Sequence, residues 1–341
     1  MSGTSLDGVD LAYINITADP KFSYKFLVSE TISYSKGWNK KLRNATFLSE
    51  KQLHELNEDY TRSLAKWINN FIQKYKIQQL DAVCSHGHTI LHQPKKGVTL
   101  QIGNLPLLKD YITATIVCDF RVQDVQLGGQ GAPLVPIGDQ LFFSEYDSCL
   151  NLGGFANCSF ESSVGERIAY DICPVNVVLN HYALKLGKAY DDSGAFAKAG
   201  TVQPQLLEQL NALDYYKTAA PKSLGIEWVN KMVFPIIEAY TFDAKDILAT
   251  CTEHIAKQLA EAFMSDSKVL VTGGGAYNAY LLECVKAHKN IELVVPENQL
   301  VEYKEALIFG LLGVLRLRNE VNCLASVTGA KKSHSSGVIF S

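Results

Sequence analysis

Met1-Ser-Gly-Thr-Ser-Leu-Asp-Gly-Val-Asp10 opens the sequence and runs straight into Leu11-Ala-Tyr-Ile-Asn-Ile16. The apolar run reads as a strand. The segment before it reads as a turn in which Gly3 and Gly8 alternate with Thr4, Ser5, Asp7 and Asp10. Such a turn offers backbone N–H groups to phosphate, and its carboxylates can hold Mg²⁺ through water. The same residues also suit a plain polar turn at a free amino terminus, where Asp readily ties up turn N–H groups. Recurrence further along the chain decides between the two.

After the glycine-rich break Gly128-Gly-Gln-Gly-Ala-Pro-Leu-Val-Pro136, the opening pattern restarts. Ser148–Leu152 reads as a strand, Gly153-Gly-Phe-Ala-Asn157 as a turn and Cys158–Glu161 as a second strand. A third glycine turn, Thr272-Gly-Gly-Gly-Ala-Tyr-Asn278, follows the buried strand Lys268–Val271 and leads into a helix. Further strands are predicted at Tyr24–Ser33, Leu80–Ser85, Thr99–Ile102, Thr115–Cys118 and Ile168–Tyr170. A long helix is predicted over Ser49–Lys74, where Leu53, Leu56, Tyr60, Leu64, Trp67 and Phe71 share one stripe. Pro174–Leu186 reads as a helix with Pro near its first position. A mostly helical stretch runs from Pro204 to Ser265, and Tyr303–Asn319 forms the last helix.

Two strand–glycine turn–strand units and a later glycine triplet indicate an internally duplicated α/β protein. The expected architecture is the two-lobed actin/hexokinase/Hsp70-like ATPase fold with an interlobe nucleotide cleft. One turn from each lobe would face the phosphates, and the triplet would let backbone approach the adenosine. The N-terminal lobe is expected over residues 1–140, rejoined by about 320–341, and the C-terminal lobe over 141–319. No strand is followed by Gly-x-Gly-x-x-Gly, and no Gly-x-x-x-x-Gly-Lys occurs, which weighs against a Rossmann dehydrogenase.

Composition narrows the partners. The 341 residues are 47% hydrophobic and 20% charged with net charge −3, so nothing favours nucleic acid or an anionic membrane. No apolar run approaches the roughly 18 residues of a membrane span, and no signal-peptide pattern opens the sequence. Cys84, Cys118, Cys149, Cys158, Cys173, Cys251, Cys284 and Cys323 form no CxxC or other metal spacing. They are expected to be reduced and buried in a soluble, cytoplasmic protein.

Ordered motifs along nearly the whole chain resemble those of the anhydro-N-acetylmuramic acid kinases. They are the opening decapeptide, Ser85-His-Gly-His-Thr89 with His92 and Pro94, Leu100-Gln-Ile-Gly103, Asp119-Phe-Arg121 with Asp124, and the break at 128–136. The second half adds Asn151-Leu-Gly-Gly-Phe-Ala-Asn157, Tyr190-Asp with Gly194 and Gly200, Gly273-Gly-Gly-Ala-Tyr-Asn278, Glu305-Ala306 and Thr328-Gly-Ala330. The resemblance implies a cytoplasmic enzyme of bacterial cell-wall recycling. Such an enzyme opens the internal 1,6-anhydro bond of its amino sugar with water and phosphorylates O6 from ATP, giving N-acetylmuramic acid 6-phosphate. A homodimer is the family-based expectation.

Roles follow residue by residue from that resemblance. Asp171 falls on the catalytic carboxylate, the general base toward the attacking water; by residue type alone it also suits a helix cap. ATP is expected at Gly3, Thr4, Ser5, Asp7, Gly8, Asp10, Gly153, Gly154, Asn157, Gly273, Gly274, Gly275 and Asn278. Mg²⁺ is expected near Asp7 and Asp10, through water. The sugar is expected to draw on Ser85, His86, Gly87, Thr89, Arg121, Asp124, Gln130, Gly131 and Glu305. Arg121 would pair with the lactyl carboxylate, or alternatively with Asp124 in a structural ion pair. His86, His88 and His92 are read as hydrogen-bonding groups rather than metal ligands.

Three departures stand out. Where the family reads Asp-Thr-Gly-Pro-Gly-Asn, this chain reads Asp171-Ile-Cys-Pro-Val-Asn176, so the loop beside the base is expected to be reshaped, because a β-branched residue rejects positive φ. His88 stands in place of a glutamine. The family carries a strand before the Gly-Thr-Ser turn, whereas this sequence begins at that strand's end. Of a start at an internal methionine and a loosely held loop, the first is the favoured expectation. These departures leave room for a nucleotide- or sugar-binding pseudokinase, or for a kinase of another amino sugar. A chaperone ATPase fits poorly, since no peptide-binding extension follows.

Overall fold

The computed structural model describes residues 1–3 and 6–341, with Thr4 and Ser5 outside it. The chain divides into two compact units, Met1–Phe142 with Tyr303–Ser341, and Phe143–Glu302.

The first unit begins with strands β1 (Gly8–Thr17) and β2 (Ser23–Ser33), an antiparallel pair in register from Gly8↔Ser33 to Thr17↔Ser23. Gly8 is required here, because a Cβ would overlap the carbonyl of Ile32 on the partner strand. Helix α1 (Glu50–Lys74) follows the predicted stripe closely and buries Leu56, Tyr60, Leu64, Ile68 and Phe71. Ser49 stands outside it as the cap: its hydroxyl accepts from the N–H of Gln52, whose side chain accepts the N–H of Ser49 in return. Strands β3 (Ala82–Ser85), β4 (His88–Gln93), β5 (Val98–Ile102) and β6 (Thr115–Cys118) come next, with β3 parallel to β6 and β4 antiparallel to β5.

The second unit is built on a five-stranded mixed sheet. Its strands are β7 (Ser148–Leu152), β8 (Phe155–Glu161), β9 (Arg167–Pro174), β10 (Lys268–Thr272) and β11 (Glu292–Val294), ordered β11-β10-β7-β8-β9. Helices α2 (Asn176–Lys185), α3 (Ala244–Ala262) and α4 (Ala279–His288) join it. The core gathers Leu150, Leu152 and Val271 of the sheet with Leu248, Ile255 and Leu259 of α3.

Helix α5 (Asn298–Leu317) begins five residues before the predicted start. From Tyr303 onward it belongs to the first unit, so the return falls there and not near residue 320. Side chains explain the shift: Ile308 packs where Gly138 has no Cβ, and Lys304 Nζ lies 2.7 Å from Asp139 Oδ1, with both side chains almost fully buried. The last strand, β12 (Val338–Phe340), pairs antiparallel with β6.

The predicted helix Pro174–Leu186 is corrected at its start. Pro174 ends β9, and the helix begins only at Asn176. The stretch from Pro204 is mostly helical as expected, with a break at residues 218–225 around Pro221. Among the described residues no helix is long and apolar enough to cross a membrane.

Lys304→Met is expected to destabilise the protein by about 3–5 kcal/mol, because it breaks the buried Lys304–Asp139 ion pair. Lys304→Met combined with Asp139→Leu should recover most of that loss. Denaturant unfolding of the two variants checks both statements.

Candidate active site

The candidate residues are best followed within each unit. In the second, the Gly153-Gly154 turn joins β7 to β8 and is shorter than predicted, since Phe155 already belongs to β8. The carbonyls of both glycines are taken by the start of α2: Val175 and Val177 donate to Gly154 O, and Asn176 to Gly153 O. These donors are therefore committed within the protein. Gly273 and Gly275 pack on the end of β7. A Cβ on Gly273 would overlap Asn151 Oδ1 and one on Gly275 would overlap Leu152, and Gly273 also has φ +82°. Gly274 faces open space. Asn278 is buried and caps α4, its Oδ1 accepting from Leu281 N at 3.0 Å.

Asp171 lies opposite Asn157 in the β8–β9 ladder, beside a bulge at Ala156/Asn157. It does not cap α2, whose cap position is Val175 and receives no side-chain bond. Instead, the segment 215–224 wraps round it. Leu224 N donates to Asp171 Oδ2 at 2.8 Å, the Tyr215 hydroxyl donates to Asp171 O, and Asp171 N donates to Lys222 O at 3.1 Å. Burial raises the carboxyl above its ordinary pKa, and the Leu224 N–H partly opposes that shift. Lys222 Nζ sits 4.6 Å from the ring centre of Tyr215. Sequence reading missed these three residues; the Ala220-Pro221 step interrupting an assumed helix was the available signal.

Cys173 and Val175 are fully buried and belong to the unit's apolar core. Val175 has φ −125°, so it does not enter the positive-φ region that a β-branched residue rejects. The loop thus holds these residues with their side chains turned into the core and Val175 at negative φ.

In the first unit a connected chain of polar contacts forms. Arg121 Nε donates to His86 Nε2 at 2.8 Å, and Arg121 Nη1 donates to the Gly131 carbonyl at 2.7 Å. A guanidinium has no acceptor, so Nε2 must accept and the His86 proton sits on Nδ1, 3.0 Å from Gly87 O. Gly131 N donates to Asp124 Oδ2 at 2.7 Å, and Thr328 Oγ1 donates to Asp124 Oδ1 at 2.7 Å. Asp124 thereby fixes the 128–131 loop, and the expected Arg121–Asp124 ion pair is replaced by Arg121 bonding to His86 and Gly131. Thr328 is a further residue that sequence reading left without a role.

Gly87 has φ +71° and packs on the Ile102 carbonyl. Ser85 and Thr89 face local partners: Ser85 Oγ accepts from Gly87 N, and Thr89 Oγ1 from Gln101 Nε2. The Gln130 side chain is exposed, while its N–H donates to Thr328 O. His88 Nδ1 lies 2.9 Å from Ser2 Oγ.

Glu305 is solvent-accessible, yet enough protein surrounds its carboxyl to push the pKa up, with Arg121 pulling it back and Asp10 adding to the rise. Asp10 accepts from Thr31 Oγ1 at 2.6 Å. Asp7 is exposed, and its carbonyl accepts from Tyr34 N. Gly3 O accepts from Leu6 N at 3.3 Å, while Thr4 and Ser5 lie outside the described residues.

Burial, and then Arg121, hold His86 well below the ordinary histidine pKa, so it stays neutral in the native state. The unfolded imidazole protonates near pH ~6.5, so stability linked to His86 is present above that value and falls as pH drops below it. Nitrogen NMR should find the Nδ1–H tautomer persisting below pH 6.5; an imidazolium signal with ordinary titration would refute the assignment.

Comparison with known proteins identifies the family. The family model for anhydro-N-acetylmuramic acid kinase matches residues 1–341. The anhydro-N-acetylmuramic acid kinase of Mannheimia succiniciproducens is 35% identical, with 100% of this chain covering 97% of that protein. Those of Haemophilus influenzae and Coxiella burnetii are 32% and 34% identical, each with 100% of this chain covering 96% of the relative. Among solved structures, the activator of 2-hydroxyisocaproyl-CoA dehydratase from Clostridium difficile aligns over 87% of this chain and 97% of its own at 14% identity and TM-score 0.39, a likeness too remote to build on. Full-length coverage at these identities leaves one assignment: the chain belongs to the anhydro-N-acetylmuramic acid kinase family.

Proposed function

We propose that this chain is a cytoplasmic, ATP- and Mg²⁺-dependent kinase that opens 1,6-anhydro-N-acetylmuramic acid and delivers N-acetylmuramic acid 6-phosphate and ADP. The observation that carries this reading is Asp171: a partly desolvated carboxylate with a raised pKa, held in orientation by the Leu224 N–H, in a chain of this family. Asp171 takes a proton from the water that attacks the anomeric carbon. The new bond forms from water oxygen to that carbon, the carbon–O6 bond breaks, and O6 takes the γ-phosphoryl group as ADP leaves.

Arg121 suits the lactyl carboxylate, since His86 and Gly131 engage only two of its five N–H donors. Glu305 suits a sugar hydroxyl. Gly274, open and lacking a side chain, suits close approach of the nucleotide, and the Gly153-Gly154 turn suits its phosphates. Asp7 and Asp10 fit a water-mediated Mg²⁺ site: both supply hard oxygen donors, and Asp7 is exposed. The ion would supply charge neutralisation at the phosphates.

Incubation with ATP, Mg²⁺ and the anhydro sugar should give sugar 6-phosphate and ADP in equal amounts. ADP release with a different amino sugar, and none with the anhydro sugar, would redirect the substrate assignment. ATP binding without product from any amino sugar would support the pseudokinase.

A further inference from the structure

Two side chains that the kinase reading does not use, Cys323 and His334, converge on Asp124 within the first unit. They face each other across an antiparallel bridge, with Cys323 N donating to His334 O at 3.0 Å and His334 N to Cys323 O at 3.1 Å. Directly opposed residues of such a pair project their side chains to the same face. Asp124 comes from the short helix Val122–Gln126. Its carboxylate, Cys323 Sγ and a His334 ring nitrogen all lie within 4.8 Å of one another, and all three residues are buried. Asp124 stands far earlier in the chain than the other two, so no short metal motif announces the cluster.

The frame around the bridge is fixed. Asn322 Nδ2 donates to Leu312 O and Ser336 O, Asn322 Oδ1 accepts from Ser336 N, and Ser336 Oγ donates to Phe120 O. His334 is the residue that calls for a ligand. Its Nδ1 lies 3.1 Å from Lys332 O, and a carbonyl only accepts, so Nδ1 carries a hydrogen. Its Nε2 has no hydrogen-bond partner among the described residues, although the side chain is only 5% exposed. That nitrogen faces Asp124 Oδ1 at 3.8 Å, too far for a hydrogen bond. Metal-bound histidines have this arrangement, one ring nitrogen held by a carbonyl and the other directed at the ion.

We propose that Asp124, Cys323 and His334 form a binding site for a zinc-class divalent cation, which clamps the segment 322–336 to the helix carrying Asp124. Thiolate and imidazole together select a borderline-soft ion over Mg²⁺. One carboxylate and one thiolate neutralise a dication, so the filled site buries no net charge. Asp124 has room for the ion: Gly131 N and Thr328 Oγ1 occupy one lone pair on each oxygen, and a carboxylate offers about four. Water completes a tetrahedral ion that has three protein ligands. Binding releases the Cys323 thiol proton to solvent. The exposed run Lys331–Ser333, directly before His334, gives the ion a way in.

The test treats the full chain with chelator and titrates it, in the presence of a phosphine reductant, with Zn²⁺ alone and with Co²⁺ alone. About one Zn²⁺ per chain should bind and resist excess Mg²⁺, and the Co²⁺ form should show a thiolate-to-cobalt charge-transfer band. Cys323→Ser should abolish that band. Cys323→Ser and His334→Gln should each weaken Zn²⁺ binding more than about 100-fold, beyond the cost of losing an outer-shell partner. Zn²⁺ should raise the thermal midpoint of the parent and leave both variants unmoved. Cys284→Ser is the control, because Cys284 lies one turn from His288 on α4, and His288 Nε2 is 2.8 Å from Glu253 Oε1, a more open set able to hold metal adventitiously. It should behave as the parent does. Cys323→Ala, which adds no polar group to the interior, replaces the serine variant if that one no longer unfolds cooperatively. No binding by the parent, a cobalt band that follows Cys284, or undiminished affinity in the Cys323 and His334 variants would overturn the site. None of these readings involves turnover, so failure here leaves the kinase reading untouched.

Discussion

Asp171→Asn is expected to cut kcat by roughly 10²–10⁴-fold, the range a positioned general base contributes. Asparagine is nearly isosteric and its side-chain oxygen can still accept the Leu224 N–H, so the strand and the 215–224 segment should stay in place. What disappears is the group that takes the proton from water. KM for ATP should therefore change little, because the lost interaction belongs to the transition state. Stability offers an independent check with a defined sign. Burial raises the native pKa of Asp171, so the native state holds its proton more tightly than the unfolded chain does. Stability linked to this group therefore falls as pH rises from the unfolded value through the native one, and at neutral pH the ionised side chain is a burden. The variant should be at least as stable as the parent there. The pH–rate profile of the parent should show an acid limb above the usual aspartate range, with activity rising as Asp171 ionises. A variant that keeps more than a tenth of parental turnover, or one that unfolds at neutral pH, would show that Asp171 serves the fold instead.

The parts of this molecule that were readable in advance depended on short-range physics. The stripe of α1 and the Ser49 cap follow from helical period and local hydrogen bonding, and strands Thr115–Cys118 and Ser148–Leu152 appear where apolar β-formers stand between polar turns. Pro174 misled because proline suits the first turn of a helix and the end of a strand alike, and only the pairing of β9 with β8 settles which applies. The hydrogen-bond partners of Asp171 were not readable, although Ala220-Pro221 marked a break in the stretch that supplies them. Leu224 lies 53 residues further along, and its contribution is a backbone N–H that no side-chain pattern records. At Val175, where the family has glycine, the chain takes a negative φ and turns the side chain into the core, a packing that no local pattern records. The connection of Arg121 to His86 likewise depends on the parallel pairing of β6 with β3, which places the segments that follow each strand side by side.

Arg121→Lys should lower kcat/KM for the anhydro sugar about 10–150-fold, the equivalent of one or more hydrogen bonds to a charged partner. Charge alone is not what the position requires. Arg121 Nε serves His86 and Nη1 serves the Gly131 carbonyl, and the planar group can do both while presenting its remaining N–H donors to a carboxylate. A lysine ammonium is a single point and cannot span the three partners. A comparison sugar makes the test specific: 1,6-anhydro-N-acetylglucosamine has the same anhydro ring and lacks the lactyl carboxylate. If Arg121 binds that carboxylate, the parent should lose efficiency on the simpler sugar, and the lysine variant should lose little beyond that. An equal loss on both sugars would mean that Arg121 acts only by tying His86 to the 128–131 loop. Arg121→Gln divides these cases further, since its amide can donate to Gly131 O but carries no charge. Failure of Gln on the carboxylate sugar alone, with the simpler sugar processed at the parental rate, is the pattern a charge-reading residue must give.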